Sequence, residues 1–142
     1  MLVSTKGRYA LRVMIDLAEQ PVGEYITLMD ISKRQGISEK YLEGIVGLLS
    51  KASLVDSHRG KGGGYRLNRA PEKYTVLSIV ECTDGSLAPV GCLGKDAKEC
   101  PRMSECQTVD MWTELYGRIV GYLEEVTLYD LMKKDHLVDY VI

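Results

Sequence analysis

Residues 54–69 read Leu-Val-Asp-Ser-His-Arg-Gly-Lys-Gly-Gly-Gly-Tyr-Arg-Leu-Asn-Arg. Residues 54–58 alternate apolar and polar, as a half-buried strand does. Residues 59–64 hold four glycines and form a turn, and residues 65–68 alternate again. The pattern predicts a β-hairpin with a long glycine-rich tip. From His58 to Arg69 there are four Lys or Arg residues and no acid. A nucleotide-binding phosphate loop is the competing reading of Gly-Lys-Gly-Gly-Gly. The stretch lacks the G-x-x-x-x-G-K-[ST] spacing and the helix that should follow it.

What precedes the hairpin gives it meaning. Thr27 and Asp30 form a T-x-x-D start signal for a helix that runs through residues 28–35 and stops at Gly36. Ser38 then caps a second helix over about 39–50, with Leu42, Ile45, Val46 and Leu49 on one face. Two short helices joined by a glycine turn are the helix-turn-helix pattern. A basic hairpin directly after it makes a winged helix. An earlier helix is predicted over 4–19, with Tyr9, Ala10, Val13, Met14, Leu17 and Ala18 at helical spacing and Gln20-Pro21-Val22-Gly23 ending it.

After the hairpin, Thr75 caps a short apolar helix over 76–82. Cys82 lies on it and reads as core, since a free cysteine behaves as a small hydrophobe. Three further cysteines, Cys92, Cys100 and Cys106, sit in a polar loop. Clustered loop cysteines suggest thiolate ligands for a metal or an iron–sulfur cluster. Their spacing lacks the paired C-x2-C knuckles of structural zinc, which favours a cluster. A reversible thiol switch is the alternative chemistry. Lys95, Lys98 and Arg102 lie between the cysteines, and their charge would lower thiol pKa values and partly offset an anionic cluster.

A long helix is predicted over 108–126. Trp112, Leu115, Ile119, Tyr122 and Val126 recur at alternating spacings of three and four, a heptad-like seam. A second apolar line, Met111, Tyr116, Val120 and Leu123, widens it. The seam is expected to pair two copies of the chain, because readers of this type bind paired half-sites. Thr127 and Asp130 open a short final helix over 128–132. Three regions follow: a winged helix-turn-helix domain over 1–83, a cysteine loop over 84–106, and a dimerisation helix with tail over 107–142. The fold class is mainly α with a small β-hairpin wing.

The formal net charge is −2 over 142 residues. Residues 1–70 carry 11 Lys+Arg against 7 Asp+Glu, and residues 71–142 carry 7 against 13. A basic half suggests a polyanion as partner. No apolar run is long enough for a membrane span. Lys6, Arg8 and Arg12 near the start, with no apolar signal-peptide core, predict a cytoplasmic protein. That compartment disfavours structural disulfides, so the loop cysteines need another role. No nucleophile–base set or paired carboxylates stand out, and only His58 and His136 are available, so catalysis is not expected.

The chain resembles the IscR/CymR/NsrR group of bacterial winged-helix regulators, the Rrf-two family. The resemblance rests on residues 4–10 (Ser-Thr-Lys-Gly-Arg-Tyr-Ala), Ile37-Ser38 with Tyr41-Leu42-Glu43, and residues 59–65. The three-cysteine loop followed by Trp112 and the Thr-Leu-Tyr-Asp-Leu at 127–131 complete it. It implies a transcription regulator, of repressor type, that binds double-stranded DNA as a homodimer. It also implies an iron–sulfur cluster, 2Fe–2S or 4Fe–4S, on Cys92, Cys100 and Cys106. The CymR type instead works through a protein partner and lacks these cysteines. IscR-like relatives supply a histidine three residues after the last cysteine, where this chain has Val109. The nitric-oxide-sensing branch uses an acid near the N-terminus, where this chain has Arg8. Asp110, Glu105, a backbone or solvent group, or a residue of the partner subunit could complete the site.

On this reading the helix from Glu39 enters the major groove, where residues at the start of such a helix reach the bases. Ser38, Lys40, Tyr41 and Glu43 fall there. Glu43 matches a base-reading glutamate of IscR-like relatives and can accept from cytosine N4. Arg59, Gly60 and Lys61 are expected to meet the minor groove or phosphates. Relatives often carry a polar base-contacting residue at position 44, where this chain has glycine.

Overall fold

The Ser4 side chain accepts a hydrogen bond from the backbone N–H of Gly7 and so starts α1, Thr5–Ala18. The computed structural model describes residues 3–94 and 100–133. Thr27 caps α2, Leu28–Gln35, by accepting from the Asp30 N–H at 3.1 Å. Gly36 ends α2 in the left-handed region (φ 67°), a conformation cheap for glycine. Ser38 caps α3, Glu39–Lys51. These match the sequence expectations to within a residue at each end.

The hairpin forms as expected. β1, Val55–His58, pairs antiparallel with β2, Gly64–Leu67, in the register Val55 opposite Leu67 and His58 opposite Gly64. The sequence reading missed its third partner. Ile26 and Tyr65 exchange two backbone hydrogen bonds of 2.8 Å, so the segment before α2 pins the hairpin to the helices. Gly64 sits at φ 147°, and a Cβ there would fall on the carbonyl of Ile26. Only glycine lets the two backbones come so close.

α4 is Val76–Asp84, two residues longer than predicted, and α5 is Val109–Glu125. α6, Leu128–Leu131, starts with the reciprocal capping box of Thr127 and Asp130. The main core joins one face each of α1, α2 and α3 to the hairpin base, and Leu128 of α6 is wholly buried in it. Among the described residues, Asp16 is the one charged side chain buried, at 2 % exposure. Arg34 grips it with two hydrogen bonds of 2.9 and 2.8 Å, and Gln35 adds a third at 2.9 Å. The pairing satisfies a carboxylate that would otherwise be costly to bury.

A second cluster holds α4 against α5: Val76, Leu77, Val80 and Leu87 meet Ile119, Val120, Leu123 and Val126. At the far end of α4, Asp84 accepts from the Ser4 backbone N–H at 2.8 Å and from its hydroxyl. The last residue of α4 thus holds the start of α1. The architecture is mainly helical with a two-stranded wing, as the sequence predicts.

Candidate nucleic-acid interface and thiol loop

The core-facing residues of α3 leave one face free. Glu39, Lys40, Tyr41, Glu43, Gly44 and Gly47 are exposed on it, beside the capping Ser38. The Ser38 hydroxyl oxygen accepts from the Tyr41 N–H at 3.2 Å, which leaves its proton free to donate. Tyr41 is braced edge-on by Tyr9, with ring centroids 5.6 Å apart, and Arg12 stacks over Tyr9. Glu43 has no ion pair or hydrogen bond among the described residues. Its carboxylate is available to a donor outside the chain.

Arg59, Gly60 and Lys61 project at the hairpin tip, all exposed. The tip closes through a 3.0 Å hydrogen bond from the Gly63 N–H to the Gly60 carbonyl. Behind it, Arg66 lies 4.3 Å over Tyr25, donates to the Gly23 carbonyl at 3.0 Å and pairs with Asp56 at 3.7 Å. His58 rests on the Tyr25 ring at 5.2 Å. This stack holds the wing to the loop before α2. Tyr25 and Ile26 are the residues sequence reading passed over; two β-favouring residues just before an N-cap were the available signal.

The three loop cysteines fall on short turns. Cys92 lies in the 3-10 turn Gly91–Leu93, and the Cys100 carbonyl accepts from the Met103 N–H at 3.1 Å. Cys106 ends the turn Met103–Glu105, just before α5. All are free thiols and partly exposed. The Thr108 side chain lies 3.5 Å from the Cys106 sulfur. Its hydrogen bond, helped by the backbone N–H groups of Thr108 and Val109, holds the Cys106 thiol below its ordinary pKa; burial and Asp110 oppose this weakly. Cys82 behaves differently. Burial raises its pKa, its thiol donates to the Leu48 carbonyl at 3.2 Å, and it packs on the main core.

Three free thiols, one of them held below its ordinary pKa, suit an iron–sulfur cluster in donor chemistry. They do not form a finished cage. Among the described residues, no group of three or more His, Cys, Asp or Glu side chains converges to hold a metal ion. Glu105 and Asp110 are both exposed near Cys106, and Val109 is the first residue of α5. Lys95, Lys98 and His136 lie outside the described residues.

The expected dimer seam divides between two faces. Ile119 and Val126 turn inward onto α4, and Trp112 is half-buried. Leu115 and Tyr122 are exposed, and Met111 of the second apolar line joins them. Of the other members of that line, Val120 and Leu123 pack inward, and Tyr116 is half-buried with its hydroxyl 3.4 Å from that of Ser86. The seam therefore serves the protomer's own core on one side and leaves a narrower apolar stripe on the other. No described helix is long and apolar enough to cross a membrane.

Comparison with known proteins places these features in context. The family described as Rrf2, iron-dependent transcriptional regulator, matches residues 3–134. The HTH-type transcriptional regulator IscR of Vibrio campbellii is 38 % identical over 139 residues, covering 98 % of this chain and 82 % of that protein. IscR of Aliivibrio salmonicida is 40 % identical over 132 residues, covering 93 % and 77 %. Among solved structures, CymR, the global cysteine regulator of B. subtilis, is similar with a TM-score of 0.73 and 34 % identity over 92 % of this chain and 95 % of that one. T. potens IscR gives a TM-score of 0.70 and 32 % identity, with coverage of 97 % and 96 %.

Proposed function

Because the chain belongs to the Rrf2 family of transcriptional regulators, we propose that it is a dimeric repressor whose grip on DNA is set by an iron–sulfur cluster on Cys92, Cys100 and Cys106. It is a regulator and not an enzyme, like the relatives it matches. The observation that carries the cluster reading is the set of three free thiols in one loop, with Cys106 held below its ordinary pKa at the entrance to α5. Asp110 and Glu105 are the nearby acids that would complete the ligand set. The cluster, when bound, supplies a centre whose charge and ligation respond to oxidants and small ligands.

Work divides among three regions. Residues 1–83 read DNA, with α3 in the major groove and Arg59, Gly60 and Lys61 on phosphates or in the minor groove. Residues 84–106 sense, and residues 107–142 pair two copies through the α5 stripe. Ser38, Lys40, Tyr41 and Glu43 meet the duplex. The exposure and free carboxylate of Glu43 support its part in discrimination. Asp84 stands at the junction of sensing loop and α1, and Tyr9 of α1 braces Tyr41 of α3, so the loop has a packed route to the reading surface.

A second reading needs no cluster: control by a protein partner or by thiol redox state, as in a CymR-type regulator. The likeness to the solved structure of CymR, with a TM-score of 0.73 and 34 % identity, supports it. Anaerobic purification with iron and sulfide assays, absorption spectra and DNA binding in both states separates the two. The cluster reading expects bound iron and sulfide, lost when the three cysteines become serine, and a DNA affinity that changes when iron is removed. A protein that holds no iron, yet binds DNA in a thiol- or partner-dependent way, would establish the second reading.

A further inference from the structure

A cleft of about 500 Å³ separates the second half of α3 from the wing. Lys51, in the last turn of α3, and Arg59, on the wing, stand along its walls with the hydroxyl residues Ser50, Ser57 and Thr27. No Asp or Glu lines it. Three cations elsewhere do have an acid partner: Arg34 pairs with Asp16, Arg66 with Asp56 and Arg118 with Glu114. Among the described residues, Lys51 and Arg59 have no acidic partner, and the Ser50 and Ser57 hydroxyls make no hydrogen bond. Gly47 lies on the α3 wall, and a Cβ built there meets nothing within 4 Å. Any longer side chain at 47 would extend into open space at the cleft.

Geometry supplies the occupant. A helix in the major groove and a hairpin reaching the adjacent minor groove must straddle the sugar–phosphate ridge between those grooves. The space between α3 and the wing is this cleft. We infer that it is a seat for a backbone phosphodiester of the bound duplex, held by Lys51 and Arg59 with Ser50 and Ser57 as neutral donors. The inference rests on the DNA-binding reading and adds to it a contact that fixes position without reading sequence. A phosphate here sets how deeply α3 enters the groove, and so how far Glu43 reaches.

The test uses the full chain, a duplex selected in vitro by the wild type, and an unrelated duplex of equal length. Affinities are measured across a salt series for wild type, Lys51→Gln and Gly47→Glu. Both variants lie on exposed helix positions, and glutamate is a better helix former than glycine, so thermal melts should stay near or above wild type. Lys51→Gln should lower the slope of log affinity against log salt by about one per subunit on both duplexes, leaving their affinity ratio intact. Gly47→Glu, which brings an acid to the cleft, should weaken both at least about tenfold. An unchanged slope in Lys51→Gln, or full affinity in Gly47→Glu, overturns the seat while leaving the DNA-binding reading standing. A wild type that binds neither duplex overturns both. Free inorganic phosphate shares the chemistry. If millimolar phosphate shifts the amide signals of Ser50 and Lys51 while Lys51→Gln leaves the DNA slope unchanged, the cleft holds free anions and the phosphodiester assignment fails.

Discussion

Glu43 is an exposed acid on the α3 face proposed to meet a polyanion. Near phosphates a carboxylate is repelled, so its presence is tolerable only where a base offers a donor, and cytosine N4 does. Its effect is then one of discrimination more than of affinity. In a binding-site selection, Glu43→Ala should relax preference at the position it reads by about 1–3 kcal/mol while affinity for unrelated duplexes holds. A selection that returns the wild-type preference removes Glu43 from the reading set. The cysteines show how far single residues can be read from sequence. Cys82 was legible as core from its apolar neighbours, and its burial and its bond to Leu48 agree. The loop cysteines were legible as a set from their clustering. A lowered thiol pKa was expected from the loop's cations, but the groups that lower it at Cys106 were not legible, because they depend on where the Thr108 hydroxyl and the backbone N–H groups of Thr108 and Val109 point.

At the scale of elements, caps and turns followed local rules and were readable. Thr27, Ser38, Thr75 and Thr127 all cap the helices the sequence assigned to them, and Ser4 caps α1. The way the hairpin is fastened was not readable. Tyr74, before α4, buries its ring, donates its hydroxyl proton to the Leu54 carbonyl at 2.8 Å and accepts from the Asn68 N–H at 3.0 Å. One phenol thus ties both ends of the hairpin. Tyr74→Phe should cost about 1–3 kcal/mol in denaturant unfolding, since a carbonyl and an N–H lose their partner. Burial also raises the Tyr74 pKa above its ordinary value. The unfolded chain therefore releases this proton first as pH rises. The contribution is complete below the unfolded-state pKa of about 10 and is lost as pH climbs through the higher folded value. Unfolding of wild type and Tyr74→Phe compared near pH 7 and above pH ~10 should show a steeper alkaline loss in the wild type. Equal losses would mean that Tyr74 ionises as freely in the folded protein as in the unfolded one.

For the whole molecule, the proposed dimer turns on which face of α5 a second copy would cover. Tyr122 is 65 % exposed, whereas Ile119 packs into the cluster on α4. Tyr122→Glu should leave the thermal melt within a few degrees of wild type but give a monomer by sedimentation, with weaker binding to a paired site. Ile119→Glu should instead lower the melt, since it puts a charge among Leu77 and Val80. A Tyr122→Glu protein that still sediments as a dimer would move the interface elsewhere. The sequence by itself determined the helix order, the glycine-tipped basic wing, the apolar character of α5 and the clustering of three thiols. Each of these is written in residues close together in the chain, where periodicity and capping act. Only the tertiary structure decided which half of the α5 seam is spent inside the protomer, that Ile26 joins the wing, that Asp16 is locked by Arg34, and that Lys51 and Arg59 face one cleft. Those outcomes depend on how separate elements pack, and the faces they bury are chosen jointly by the whole core.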